Sequence, residues 1–386
     1  MNIYSSEKKT IFPSLAENIP CDVLVIGGGA SGLLCAYKLH EVGLKVVVAE
    51  KNLIASAKTA YNCGMEFELG APSYNELYSV YREKTSSVLK DYKESFNRIG
   101  KISETVMDGS YKNVKALYFT EEKSPAAISQ MQQEYRRRFF LGEKCSFLTW
   151  KDALKLYSFN VSCGILTNSA AQSNPVNFCE SISHWLSIKG SEIFENTEIV
   201  TVNKDPAEKK FTSSAANGST VTSSAVIDCR GASEICEGDE RKKLRRRTVY
   251  YLKTEPVKDL TGWYCGSIII DDCKTPLLLR TDEENRILMT LWSESFFRRF
   301  SSFYDEYMFR YEENLLRSMF FGIEGLTVAE CGKFDCTLPK NCFCGAKEDP
   351  SLEGFFYICS NNMLGLQDSE IMAEKTSEAV LKFMGK

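Results

Sequence analysis

The chain has 386 residues, of which 44% are hydrophobic and 25% are charged, and its formal net charge is −4. This balance is typical of a globular protein large enough for two domains. It lacks the basic excess of a nucleic-acid-binding protein, so no nucleic-acid partner is expected. No stretch approaches the roughly 18 uninterrupted apolar residues of a transmembrane helix, so no transmembrane segment is expected.

The N-terminal segment and the cysteines indicate the compartment. Residues 1–20 contain no apolar core of a secretory signal. The chain has 15 cysteines, which are scattered, and several of them lie in predicted core segments. Reduced thiols account for this pattern more simply than disulfides. The sequence therefore predicts a cytoplasmic protein.

The first predicted element is a buried strand, Val23–Ile26, which is followed directly by glycines at G-x-G-x-x-G spacing and then by a helix. In such a turn the first glycine permits the bend, the second admits a pyrophosphate, and the third lets the helix pack on the strand. The free N–H groups at the helix start favour phosphate binding. The predicted phosphate-binding residues are Gly27, Gly29, Ala30, Ser31 and Gly32.

A second apolar strand ends at an acid, Glu50, which stands 18 residues after Gly32. At this position a carboxylate accepts hydrogen bonds from a ribose 2′-OH, whereas it would repel a 2′-phosphate. Strand, glycines, helix, strand and acid in this order predict a dinucleotide site and disfavour NADP.

The remaining elements follow from hydrophobic periodicity and turn signals. Apolar residues at helical spacing predict helices over 76–99, 125–141, 175–188, 294–321 and 369–385. Strands are predicted over 193–194, 198–202, 220–227 and 355–359, with an Asn-Gly turn at 217–218. A hairpin joins 275–280 to 287–292 through the polar turn DEEN.

The stretch "EKNLIASAKTAYNCGM" resembles the second cofactor motif of the D-amino-acid oxidase family of flavoproteins. The resemblance assigns cofactor roles to Glu50, Lys51, Ser56, Thr59, Asn62 and Gly64. Three later stretches are similar to further family motifs, which adds Ile199 beside the adenine, Cys229 and Gly231 at the pyrophosphate, and Gly365 in the flavin loop. The resemblance, closest to the glycine-oxidase and D-amino-acid-dehydrogenase branch, implies FAD rather than NAD.

The same resemblance implies an α/β fold, with a Rossmann-like FAD-binding domain of the GR2 type. A second, α+β substrate domain would be built on a mainly antiparallel sheet. We expect the FAD-binding domain to be discontinuous, over 1–95, 165–245 and 330–386. The substrate domain would then comprise 96–164 and 246–329.

Two segments depart from the family pattern. In that branch the arginine of a G-x-R-P segment pairs with the substrate carboxylate, but here Phe334 stands at its position, in "GKFDCTLPKNCFCG". The flavin loop reads "CSNNMLGLQDSE" and keeps only Gly365 of its glycines. Candidate substrate-binding residues are therefore Phe334, Arg280 and Arg286 on the hairpin, and Tyr250 and Tyr251 on an earlier strand. One member of each pair should point away, because side chains alternate along a strand.

The predicted function is an FAD-dependent oxidoreductase that transfers a hydride from an amine or amino acid to flavin N5. Its partners would be a small-molecule substrate and an electron acceptor, oxygen or unknown. The two histidines, His40 and His184, are predicted at polar or boundary positions, so the catalytic residue is unknown and the chemistry belongs to the cofactor. The alternatives are a flavoenzyme for a hydroxy acid or other non-amine donor, and a catalytically degenerate FAD-binding protein.

Four cysteines form a candidate metal site in the sequence. Cys331, Cys336, Cys342 and Cys344 are close in sequence, but their spacing matches no strong zinc or iron–sulfur template. Chance clustering is the better explanation in a chain with 15 cysteines. No metal is therefore expected.

Overall fold

The computed structural model describes residues 4, 11–70, 73–231, 244–271, 277–293, 301–320, 325–339, 345–359 and 365–386. The strands in these residues are β1 (Ile19–Pro20), β2 (Val23–Ile26), β3 (Val46–Ala49), β4 (Met65–Phe67), β5 (Lys112–Thr120), β6 (Cys145–Thr149), β7 (Cys163–Gln172), β8 (Glu192–Phe194), β9 (Ile199–Asp205), β10 (Lys210–Ala215), β11 (Thr220–Ser223), β12 (Ala225–Asp228), β13 (Leu244–Thr254), β14 (Ile268–Asp271), β15 (Leu277–Thr281), β16 (Ile287–Ser293), β17 (Val328–Pro339), β18 (Gly345–Glu348) and β19 (Phe355–Cys359). The α-helices are α1 (Ala30–Glu41), α2 (Tyr74–Tyr81), α3 (Thr85–Thr105), α4 (Pro125–Phe140), α5 (Trp150–Ala153), α6 (Pro175–Ile188), α7 (Ser301–Met319) and α8 (Gln367–Phe383).

The dinucleotide motif belongs to a parallel sheet with the strand order β18-β19-β12-β2-β3-β8. All neighbours in this sheet are parallel except β18, which is antiparallel to β19. The four residues of β2 are fully buried and face two layers in alternation. Val23 and Val25 pack in the cluster that contains α1, α6 and α8, whereas Leu24 and Ile26 pack against a small sheet of order β1-β11-β10-β9. The parallel sheet thus lies between helices and a second sheet.

The third sheet contains nine strands of the described residues, in the order β17-β13-β16-β15-β14-β5-β7-β4, with β6 also paired to β7. Its pairs are antiparallel except for β14 with β5. One face packs with the core of the parallel-sheet region, and the other packs under α7. The expected fold class, a Rossmann-like region joined to a mainly antiparallel α+β region, is confirmed.

Two of the predicted elements differ from the structure. The helix predicted over 76–99 is divided by a turn of 3₁₀-helix at Arg82–Lys84, where Arg82 has a φ of 51°. The strand predicted over 220–227 is two strands, because the chain leaves the small sheet at Ser224 and enters the parallel sheet. The N–H of Ser224 donates to the carbonyl of Asp22 at 3.0 Å at this point. Hydrophobic periodicity alone does not reveal that consecutive strands belong to different sheets.

The predicted domain boundaries cut through the nine-stranded sheet. Strand β4, most of β7 and most of β17 come from segments that were assigned to the FAD-binding domain, yet all three pair within this sheet. The division into two domains therefore stays a prediction, with boundaries that the strand pairing would move.

In the described ranges, no helix combines the length and apolar character that crossing a membrane requires.

Candidate functional site

A cavity of about 490 Å³ opens at the carboxyl end of β2. This is where the strand order reverses, with β3 on one side of β2 and β12 on the other, and where open α/β sheets bind their ligands. The lining includes most of the predicted cofactor residues: Gly27, Gly29, Ala30, Ser31, Glu50, Lys51, Thr59, Asn62, Ile199, Cys229 and Gly231. The structure thus brings together motifs that are up to 200 residues apart in the chain.

The glycine turn has the close packing that its spacing predicts. A Cβ built on Gly32 would lie 1.9 Å from the carbonyl oxygen of Gly27, so no side chain fits there although Gly32 does not line the cavity. Gly29 is the N-cap of α1 and provides no side-chain cap. The backbone N–H of Ala30 donates to Oγ1 of Thr59 at 3.2 Å. The start of α1 therefore presents backbone donors and a positive dipole end to the cavity.

Gly28 also belongs to this turn, although the motif did not single it out. A Cβ on Gly28 would lie 2.3 Å from Cδ1 of Ile54 and 3.0 Å from Cβ of Glu50. Its N–H donates to Oε2 of Glu50 at 2.7 Å. The middle position of the three consecutive glycines is therefore fixed by the approach of the acid rather than by a ligand.

Glu50 is held in place by the backbone on both sides. Besides the bond from Gly28, its Oε1 accepts from the N–H of Asn52 at 2.9 Å. The side chain is buried and lines the cavity. Since an ionised carboxylate has about four acceptor positions, two remain for the hydroxyls of a ribose.

Asn62 links the second motif to the end of the chain. Its Nδ2 donates to the carbonyl of Gly365 at 2.6 Å, and its Oδ1 accepts from the N–H of Gly64 at 2.8 Å. Gly64 and Gly365 themselves do not line the cavity. Gly64 has a φ of 63°, and a Cβ there would lie 2.2 Å from the carbonyl oxygen of Ser173. These two glycines therefore support the site through the backbone.

Position 365 must be a glycine because a buried acid, Glu66, lies against it. The sequence analysis did not identify this acid. A Cβ on Gly365 would lie 2.2 Å from Oε2 of Glu66. The carboxylate of Glu66 accepts from the N–H of Leu366, at 2.7 and 2.9 Å, at the start of α8. Burial raises the pKa of Glu66 to about 7, although the hydrogen bonds from Leu366 and Gln367 act in the opposite direction. No local pattern joins Glu66 to a residue 300 positions later.

Ser56 belongs to the second motif, but its side chain is exposed to solvent and does not face the cavity. Its Oγ donates to the carbonyl of Leu53 at 2.7 Å, so it closes a local turn, and it is not part of the cavity lining. The geometry of this turn gives no support to the contact of Ser56 with the cofactor, which stays a prediction. Lys58, two residues later, does line the cavity, and its Nζ lies 2.8 Å from the position that a Cβ on Gly231 would take. No sequence pattern distinguishes this lysine from the lysines near it.

Tyr61 and Phe334, which line the cavity, form an aromatic group with the buried Tyr251. The rings of Tyr61 and Phe334 are stacked, with centroids 5.1 Å apart and an angle of 27°. Tyr251 lies 6.5 Å from Phe334, and its hydroxyl donates to Oε1 of Glu330 at 2.9 Å. Burial and the neighbouring Glu330 raise the pKa of Tyr251, so its hydroxyl remains protonated.

Tyr250 lies on the opposite face of β13, as alternation requires. Its ring packs with Phe309 of α7, and its hydroxyl donates to Oδ1 of Asp305 at 2.7 Å. Lys333, beside Phe334, also extends to that helix, with Nζ 2.5 Å from Oδ2 of Asp305. The prediction that Tyr250 binds substrate is therefore corrected, because its side chain belongs to the packing under α7.

Arg280 and Arg286 come together, but at a different cavity. This second cavity has a volume of about 390 Å³ and shares no lining residue with the first. Tyr4 and Asn62 lie between the two, and the hydroxyl of Tyr4 donates to the carbonyl of Asn62 at 2.6 Å. The two arginines therefore do not line the first cavity, and their expected contact with a substrate stays a prediction.

Both histidines lie where their sequence context suggested. His184 is exposed on α6, and Nδ1 of His40, at the end of α1, lies 3.0 Å from Oγ of Ser191.

Of the cysteine cluster, Cys331 is exposed, whereas Cys342 and Cys344 lie outside the described residues. The absence of a metal there stays a prediction. Within the described part of the chain, His, Cys, Asp and Glu side chains form no group suited to a metal ion.

The first cavity fits an elongated anionic dinucleotide by its own chemistry. It combines a helix start without a side-chain cap, a lysine close to the turn at Gly231, and a carboxylate fixed by two amides. These groups match a pyrophosphate and an adenosine ribose in the order in which a Rossmann-like site holds them. The fold and the cavity together indicate a dinucleotide-binding protein of the Rossmann type.

Comparison with known proteins specifies the class. The family model described as FAD dependent oxidoreductase matches residues 22–379, so the chain belongs to this family, is an enzyme, and uses FAD as its cofactor. It is 23% identical over 202 residues to gamma-glutamylputrescine oxidoreductase of Escherichia coli, covering 51% of this chain and 47% of that protein. It is 24% identical over 212 residues to glycine oxidase of Bacillus licheniformis, covering 53% of each. The chain thus spans about half the length of these curated relatives.

The fold is also found among solved structures. Glycine oxidase from Geobacillus kaustophilus superposes with a TM-score of 0.75 at 15% identity, covering 94% of this chain and 95% of that one. At this identity the similarity establishes the fold and leaves the substrate to be argued from the site.

Proposed function

We propose that this enzyme oxidises an amine or amino acid by removing a hydride from the carbon that bears the nitrogen. Bound FAD supplies the hydride acceptor, at flavin N5, and oxygen or another acceptor takes the electrons afterwards. The names of two relatives, which specify gamma-glutamylputrescine and glycine, support a substrate of this kind. Such chemistry depends more on a positioned substrate and cofactor than on a strong side-chain base, which suits a site to which neither histidine contributes.

We propose the following residues as FAD ligands. The glycine turn and the start of α1 hold the pyrophosphate, with Lys58 and Gly231 opposite. Glu50 accepts from the ribose, and Ile199 lies beside the adenine. Asn62 joins the second motif to Gly365 and so fixes the backbone near the flavin ring.

The observation that carries the substrate class is the aromatic group of Tyr61, Phe334 and Tyr251. Phe334 stands where the family resemblance implies an arginine, and the neighbouring cation, Lys333, which also lines the cavity, is paired with Asp305. A substrate carboxylate placed against Phe334 would lose hydration without gaining a charge partner, which is costly. The site therefore favours an amine with an apolar or aromatic substituent over a small α-amino acid.

The test is anaerobic reduction of the flavin-loaded protein by single donors, followed by visible absorbance. We expect benzylamine or a similar apolar amine to bleach the flavin faster than glycine, D-alanine or D-proline. Phe334→Ala should weaken the apparent affinity for the aromatic amine, whereas Phe303→Ala, on the exposed side of α7, serves as the matched control. Fast reduction by D-alanine, unchanged in Phe334→Ala, would contradict the proposed substrate class.

The same panel separates the alternative functions. Reduction by lactate or glycolate, with no reduction by amines, would identify a hydroxy-acid enzyme. A flavin that no donor bleaches would instead favour an FAD-binding protein without catalysis.

A further inference from the structure

The second cavity, of about 390 Å³, lies beside the turn that joins β15 to β16. Its lining includes two buried cations, Arg280 and Lys253, a third cation at Arg286, and the side chain of Tyr4. We propose that this cavity is a binding site for a small carboxylate, with the guanidinium of Arg280 as its main ligand. This site is separate from the first cavity, which is proposed to hold FAD and is called the flavin cavity from here on. The proposal therefore does not rest on the proposed function.

The acids around this cavity are each paired with another cation. Asp282 pairs with Lys253 at 3.7 Å, and Glu284 pairs with Arg286 at 2.6 Å. Glu283 pairs with Lys112 at 3.0 Å. The local carboxylates are therefore engaged without Arg280.

Arg280 has no carboxylate partner among the residues that the structure describes. Its side chain is only 4% exposed, and its Nε has no hydrogen-bond partner in that part of the chain. Its Nη2 donates to the hydroxyl of Tyr4 at 3.0 Å, and the guanidinium lies 5.5 Å from the Tyr4 ring centroid. Burial raises the pKa of Tyr4, so this partner is a neutral phenol and provides no negative charge.

A buried guanidinium without a counter-ion is unfavourable, because the loss of hydration is not offset by an opposite charge. Guanidinium presents its N–H donors in a planar fork, and a carboxylate accepts two of them in parallel. A small carboxylate in this cavity would supply both the missing charge and a partner for Nε. The volume also lies within the range of roughly 300 to 1,000 Å³ that is usual for small-molecule sites.

The position of Tyr4 explains why this site is distinct from the cofactor site. The Tyr4 hydroxyl accepts from Arg280 on one side and donates to the carbonyl of Asn62 on the other. Asn62 belongs to the lining of the flavin cavity, whereas Tyr4 belongs to that of the second cavity. A carboxylate bound to Arg280 would thus be separated from the first cavity by Tyr4 and Asn62.

The test is calorimetric titration of the flavin-loaded protein with sodium acetate at constant ionic strength. Acetate has no amine or hydroxyl to oxidise, so its binding is measured independently of turnover, and acetamide is the neutral control of the same shape. We expect one acetate per chain and no detectable binding of acetamide. Arg280→Met should weaken acetate binding by roughly tenfold or more, whereas Arg317→Met removes a surface charge on α7 and should leave it unchanged.

A conservative variant keeps the test decisive if Arg280→Met does not fold. Arg280→Lys retains the charge but loses the planar fork, so it should keep its flavin and bind acetate several-fold more weakly. Equal acetate affinity in the wild-type protein and in a folded Arg280 variant would overturn the proposal, as would the absence of acetate binding to the wild-type protein. Loss of amine oxidation alone would bear on the proposed function and not on this site.

Discussion

The flavin cavity and the substrate-side face of the nine-stranded sheet are built from residues at very different sequence separations. Most residues proposed to hold FAD lie between Gly27 and Asn62, where a strand, a turn, a helix and an acid follow one another. The aromatic group instead joins Tyr61 to Tyr251 and Phe334, which strand register brings together. The first region is specified locally, whereas the second depends on how distant strands pair.

The two regions also differ in how far one wrong residue assignment affects the others. In the cavity proposed to hold FAD, one residue that turns away, such as Ser56, leaves its neighbours Thr59 and Asn62 in the cavity lining. On the sheet, the face of one strand decides the role of every side chain along it. Tyr250 and Tyr251 are adjacent in the chain, yet one packs under α7 and the other beside Phe334.

The largest expected effect is the loss of FAD from Gly29→Val. A Cβ on Gly29 would lie 3.2 Å from Oγ1 of Thr59, and the valine methyl groups would extend into the space in front of α1 that a pyrophosphate needs. We expect the purified variant to contain no flavin, as measured by absorbance after denaturation. Gly109→Val is the control, because a Cβ there meets no atom within 4 Å. A Gly29→Val protein with one FAD per chain would show that the cofactor binds elsewhere.

The local signals explain why the fold of the first region was predictable. The glycine spacing, the apolar runs of β2 and β3 and the proline that opens α6 each specify an element within a few residues. The same reasoning located the hairpin of β15 and β16 from its polar turn. These elements formed as predicted because their local preferences agree with the surrounding packing.

The parts that were missed depend on distant contacts. The Arg280 side chain has the expected strand position, but the N-terminal Tyr4 separates it from the flavin cavity, and a segment 276 residues away leaves no local signal. Likewise, Glu66 under the start of α8 could not be found from either segment alone. Once strand register is known, the face to which each side chain points can be predicted. Single contacts between distant segments, such as these two, cannot be predicted in this way.

A second prediction probes the sheet region through a buried acid on α7. Glu312 is fully buried, neither carboxylate oxygen has a hydrogen-bond partner among the described residues, and burial raises its pKa to about 9. Because the native state then holds a proton that the unfolded state has released, the free energy of unfolding should fall as pH rises from about 5 to about 9. One such group contributes about 1.4 kcal/mol per pH unit in this window.

Glu312→Gln should remove this contribution, so the variant's melting temperature should depend less on pH than that of the wild-type protein between pH 5 and pH 9. The neighbouring Glu313→Gln, at a solvent-exposed ion pair with Arg317, is the matched control. Parallel pH profiles for the wild-type and Glu312→Gln proteins would mean that Glu312 finds a charge partner in solution.

A smaller effect is expected for Glu50→Ala in the flavin cavity. The variant loses the charged hydrogen bonds proposed for the ribose, which should weaken FAD binding by roughly one to three kcal/mol. The dissociation constant is measured by titrating apoprotein with FAD and following flavin fluorescence. Glu41→Ala, an exposed acid at the end of α1, should leave the constant unchanged. Unaltered affinity in Glu50→Ala would separate this acid from the ribose.

The smallest expected effect compares Thr59 with Ser56, two hydroxyl residues of the same motif. Thr59 lines the cavity and its Oγ1 accepts from the N–H of Ala30, so Thr59→Val keeps the shape but removes one hydrogen bond at the pyrophosphate end. We expect a loss of about 1 kcal/mol in FAD binding. Ser56 is exposed and bonded to the carbonyl of Leu53, so Ser56→Ala should leave FAD affinity unchanged. The same fluorescence titration measures both variants. Equal weakening of FAD binding by Ser56→Ala and Thr59→Val would mean that Ser56 contacts FAD, as the motif predicts and the geometry of the turn does not. The cavity would then have to extend to Ser56 when FAD is bound.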